Sequence, residues 1–149
     1  MKVEFHSGVA DTLAAACRIL RKAHSAGAKV VVCGAADTLD RLDIALWTFE
    51  PLAFVAHVRL KGRSAPAASL LRTPIWLVDD PALAPAREVL LNLGQDIVAG
   101  WEEFARVIEI VSAAPEDAAA GRQRWRHYGE RPGVELVHHV RAAAAKAQA

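Results

Sequence analysis

Lys29-Val30-Val31-Val32-Cys33 is a short, unbroken apolar run closed by Gly34. A strand with one wet face alternates, whereas a strand covered on both faces by helices has no need to, so this run reads as part of a parallel sheet. Before it, Asp11-Thr12 opens a helix carrying Leu13, Cys17 and Leu20 at steps of four and three, with Gly27 as its stop. Val3-Glu4-Phe5-His6 alternates like a short strand. After it, residues 37–49 place Leu39, Leu42, Leu46 and Phe49 on one helical stripe, capped by Asp37 or Thr38 and stopped by Pro51. A short strand is expected at Phe54-Val55-Ala56, and residues 59–73 read as a mobile basic surface loop. Strands follow at 74–78, 88–93 and 106–111, with a helical turn at 100–104. Pro115 and two following acids open a helix reaching about Tyr128, and residues 134–140 fit an edge strand. Strands interleaved with helices imply an α/β fold: a three-layer α/β/α sandwich on a mostly parallel or mixed sheet. One domain is expected over 1–140, with the alanine-rich 141–149 as a disordered tail.

Bulk properties exclude several classes. A formal net charge of +1 over 149 residues gives no global field for nucleic acid or a membrane. Cys17 and Cys33 make no disulfide framework, and no apolar run reaches bilayer length, so a cytoplasmic protein without membrane association is expected.

An α/β sheet invites a nucleotide, but the motifs are missing. A phosphate loop needs Lys followed by Ser or Thr, and no lysine here is. The first βα turn, His6-Ser7-Gly8-Val9-Ala10, has one glycine where a dinucleotide turn needs several. Asp79-Asp80 after a strand resembles half of a magnesium site, although solvated turn carboxylates explain it more simply. His138 and His139 are adjacent, so on a strand they face opposite ways and cannot chelate one metal together. The sequence therefore gives no catalytic residue, cofactor or metal site.

Two surfaces stand out instead. Ile44 and Trp47 lie off the core stripe of their helix, and Phe54 follows within a turn; the trio suits a protein partner, or cover by a neighbouring element. Arg122-Gln123-Arg124-Trp125-Arg126-His127-Tyr128 puts an indole between guanidiniums. Three readings stay open there: a site for an acidic peptide ending in an apolar residue, a phosphate-tracking single-strand surface, or a solvated basic face with Trp125 turned inward.

Arg41-Leu42-Asp43-Ile44-Ala45-Leu46-Trp47, with Phe54-Val55-Ala56-His57 after it, resembles the chi subunit family of bacterial DNA polymerase III. The likeness runs from the first strand to about Tyr128. It implies a nucleotide-binding-like α/β fold with no working nucleotide site, and a non-catalytic adaptor of the replicative holoenzyme. Such an adaptor links the clamp loader, through the psi subunit, to the C-terminal tail of single-stranded-DNA-binding protein, and so to single-stranded DNA indirectly. The resemblance assigns the tail to Val111, Arg122, Arg124, Trp125, Arg126 and Tyr128. Ala118 stands where some relatives have a lysine. It assigns psi, or in some relatives an iron–sulfur helicase, to Ile44, Trp47 and Phe54. The alternatives are an α/β nucleotide-binding or hydrolysing enzyme using Asp79 and Asp80, and a direct single-strand binder through the basic helix.

Overall fold

The structure, a computed structural model, describes residues 1–49 and 54–140. Among the described residues, seven strands form one sheet: β1 (Lys2–Val9), β2 (Val30–Cys33), β3 (His57–Leu60), β4 (Ile75–Val78), β5 (Val89–Asn92), β6 (Arg106–Ser112) and β7 (Glu135–Val140). Their order is β3-β4-β2-β5-β6-β1-β7, and every pairing is parallel, so of the two expected sheet types the sheet is wholly the parallel one. Three α-helices of the described residues cover it: α1 (Thr12–Ser25), α2 (Ala36–Thr48) and α3 (Pro115–Gly129).

The central strands are apolar on both faces because both are covered. Val30 and Val32 of β2 pack with Leu20 of α1 and with Leu39, Leu42 and Leu46 of α2. Val31 and Cys33 point the other way, into a core shared with Trp76, Trp101, Phe104 and Tyr128 of α3. The helical stripe predicted for α2 is therefore the buried one, and the three-layer arrangement follows. Right-handed crossovers put helices on opposite faces when the chain moves in opposite directions along a sheet. β1–α1–β2 and β2–α2–β3 run toward the β3 edge, whereas β6–α3–β7 runs toward the other.

Asp11 caps α1 by accepting from the Ala14 N–H at 3.0 Å. α2 differs from expectation: it begins one residue before Asp37, and its cap, Ala35, offers no side-chain bond. Pro51, its proposed stop, lies outside the described residues, as does the 141–149 tail. β3 also differs. Residues 54–56 are not strand, and pairing with β4 begins at His57↔Ile75 and ends at Leu60↔Val78. Arg59 and Leu60, read as the start of a loop, thus belong to the sheet edge. Arg59 is fixed there by Asp40 and Asp79, each at 2.9 Å. β1 outruns its predicted end because β6 lies on one side and β7 on the other, the latter pairing as far as Ser7↔Val140.

Candidate functional site

In open α/β sheets ligands sit beyond the carboxyl ends of the strands, where strand order reverses. A cleft of about 1170 Å³ lies there, with Gly34, Asp80, Asn92, Gly94, Ser112 and Arg124 among its walls. Its chemistry suits a packed scaffold. A Cβ on Gly34 would stand 3.2 Å from the Leu93 Cβ, so this glycine admits the neighbouring loop rather than a phosphate. Of the three arginines at the cleft, Arg41, Arg87 and Arg124, the last two are already engaged. Arg87 donates to the carbonyls of Ala82, Ala84 and Ala86, and Arg124 donates to Glu109 and to the Gln95 carbonyl. The acid pair is engaged too. Asp79 accepts from the Gly62 N–H at 2.8 Å and from Arg59, which together hold its carboxyl below the usual range, and Asp80 accepts from the Ala82 N–H. Cys33, in the cleft wall, has its thiol pushed up to about 12 by burial and, secondarily, by Asp80.

The basic helix divides its cations between two jobs. Arg122 and Arg126 are exposed, one turn apart, and Trp125 beside them is half-buried. Trp125 packs edge-on against Phe5 of β1 at 5.3 Å and near His138 of β7 at 5.7 Å. The indole is thus held by the sheet with part of its surface open, rather than turned wholly inward. Arg124 and Tyr128 point into the protein and meet Glu109, whose side chain is completely buried. The Glu109 carboxylate accepts from Arg124 Nε at 2.9 Å, Tyr128 O–H at 2.6 Å and Asn92 Nδ2 at 3.0 Å. Burial pushes this carboxyl up, while Arg124, Tyr128 and Asn92 pull it down. Val111 is buried against α3, where a Cβ on Gly121 would lie 2.9 Å from Val111 Cγ2. Of the six residues predicted to take a tail, the structure therefore presents Arg122, Trp125 and Arg126 to solvent and places Val111, Arg124 and Tyr128 underneath them. Glu109 was missed, and its signal was a lone charge inside the apolar run of Arg106-Val107-Ile108-Glu109-Ile110-Val111, which a buried strand tolerates only with partners.

The second surface lies at the other end and on the other face of the sheet. Ile44, Trp47 and Phe54 are 65%, 54% and 64% exposed, large values for such side chains. No neighbouring element covers them among the described residues. They form one patch, since the Trp47 ring lies 5.5 Å from Phe54 and 4.8 Å from His57. His57 is oriented by Asp43 at 2.8 Å, which ties the start of β3 to α2 beneath the indole.

Comparison with known proteins decides the family. The family model for the DNA polymerase III chi subunit, HolC, matches residues 1–136, nearly the whole described fold. The chain belongs to the DNA polymerase III chi subunit family. A curated relative, DNA polymerase III subunit chi of Pseudomonas aeruginosa, is 31% identical over 129 residues, covering 85% of this chain and 84% of the relative. Family membership makes this chain a chi-type subunit of DNA polymerase III, a protein of DNA replication. Within the chi match fall both surfaces, the Glu109 network and all of α3. No described helix is long and apolar enough to cross a membrane.

Proposed function

We propose that this chi-family chain is a non-catalytic adaptor with two docking surfaces. The outer side of α3 takes the acidic C-terminal tail of single-stranded-DNA-binding protein, and the Ile44–Trp47–Phe54 patch takes the psi subunit of the clamp loader. An iron–sulfur helicase is a rival occupant of that patch. The observation that carries the reading is the pairing of exposed Arg122 and Arg126 with a half-buried Trp125. Two guanidiniums match carboxylates, and the open part of the indole packs an apolar terminal side chain. Arg124, Tyr128 and Val111 support that surface from below as positioning residues. With Arg124 spent on Glu109, the strip keeps too few free cations for a phosphate track, which disfavours direct single-strand binding. The apolar anchor supplies most of the affinity, and the arginines supply salt-sensitive steering. A weak contact repeated on a multimeric partner raises the local concentration of the polymerase assembly on coated strands.

Calorimetric titration with an acidic peptide ending in an apolar residue and a free carboxylate tests this. The wild type is compared with Trp125→Ala and Arg126→Ala at two salt concentrations. Binding that falls with salt and with each substitution supports the site. No wild-type binding refutes tail capture, and tighter binding to a naked oligonucleotide than to the peptide favours the single-strand reading.

A further inference from the structure

We propose that Glu4, His6 and His139 form a divalent-metal site, suited to zinc, that fastens the edge strand β7 to β1. The parallel register sets His6 opposite His139, and Glu4 lies two residues earlier, on the same face of β1. The two imidazoles stack with centroids 4.8 Å apart and planes 24° apart. His139 Nε2 lies 4.0 Å from Glu4 Oε1, and one donor atom from each of the three residues falls within 4.8 Å of the others. Two imidazole nitrogens and one carboxylate oxygen, with a coordination position left open, are a donor set that zinc favours.

The geometry needs only a small closure. Zinc bonds of about 2.0–2.2 Å put tetrahedral donors roughly 3.3–3.5 Å apart. Glu4 and His6 are buried and fixed in the ladder, whereas His139 is half-exposed and can turn its ring inward. Arg106 grips both Glu4 oxygens, Nε to Oε2 at 2.7 Å and Nη2 to Oε1 at 3.0 Å. Oε1, the oxygen toward His139, can take the ion while the guanidinium stays on Oε2 and keeps the carboxylate oriented. His138 takes no part. It points to the other face, within 2.6 Å of Ser7 Oγ and near Trp125.

Zinc titration of the full chain, first stripped with a chelator, tests the site. Binding is read by calorimetry and by competition with a chromogenic chelator, and cobalt substitution reports the ligand field. The wild type should take one zinc per chain. His139→Ala, at an exposed position, and Glu4→Gln should each weaken binding about tenfold or more. His127→Ala, an exposed histidine on α3, should leave it unchanged. Zinc at a hundredfold excess over Kd should raise the wild-type Tm by about 5 °C or more, and the His139→Ala Tm by much less. The proposal is overturned if the wild type takes no stoichiometric zinc, if His139→Ala binds as well as the wild type, or if the affinity is lost with His127 instead.

Discussion

Arg124→Met separates the two jobs of the basic helix. The side chain keeps its apolar length, but the Glu109 carboxylate, completely buried, loses its only cationic partner among the described residues. Breaking a buried pair from one side costs about 3–5 kcal/mol, because the remaining charge is desolvated and unpaired. At roughly 2–4 °C per kcal/mol for a chain of this size, Tm should fall by about 6–20 °C at pH 7. The penalty depends on pH with a definite sign. Burial already raises Glu109 above its usual 4.5, and losing Arg124 raises it further. A group raised by folding favours the fold below its unfolded value and loses that contribution as pH climbs through the folded value. The gap between Arg124→Met and wild type should therefore narrow as pH falls from 7 toward 5. Glu109→Gln/Arg124→Met removes the stranded charge, so it should recover much of the loss and flatten the pH dependence. Thermal melts by circular dichroism at several pH values measure all of this. An Arg124→Met Tm within about 2 °C of wild type at pH 7, or a deficit that does not change with pH, would refute the reasoning.

The other predictions rest on single contacts. Gly121→Ala gains about 1 kcal/mol of helix propensity but drives a methyl into the Val111 methyl groups at 2.9 and 3.0 Å, an overpacking cost of about 1–3 kcal/mol. Its Tm should drop, and adding Val111→Ala should reverse the sign; a rise in the wild-type background would mean α3 sits further from β6. Cys33, pushed up to about 12 from an ordinary 9.0, should have roughly a thousandfold less thiolate at pH 8 than an unperturbed thiol. Native alkylation there should be correspondingly slow, and fast modification before unfolding contradicts the burial. Trp47→Ala should change stability by about 0.5 kcal/mol or less, being over half exposed, while abolishing co-migration with psi in sedimentation velocity. A large loss of Tm, or intact co-migration, counts against the patch as an interface.

The interior of the sheet was legible because β2, β4 and β5 are apolar on both faces, a pattern that few other structures need. β3 was misplaced for the opposite reason. Its residues, His57-Val58-Arg59-Leu60, are all half-buried at an edge, and its register is set by β4 and by Asp40 and Asp79 rather than by its own pattern. Ile44 and Trp47 could be read as exposed because a helix has one stripe and they fall off it. On α3 the same logic failed, since a buried arginine looks like a solvated one until its partner is known. That partner sits fifteen residues earlier on β6, and only the fold brings Glu109 beneath Arg124 and Tyr128.

Strand order also sets a timetable. β1, the first of these seven strands in chain order, lies between β6 and β7, the last two. About a hundred residues separate it from β6, which at roughly 5–20 residues per second is a wait of about 5–20 s for its first hydrogen-bonded neighbour. During that interval Val3 and Phe5, both buried once the sheet is complete, have no strand beside them. Until β6 is made, β1 is exposed apolar chain of the aggregation-prone kind. β7 closes the remaining flank of β1, so the last strand of the described sheet in chain order also completes the enclosure of the first.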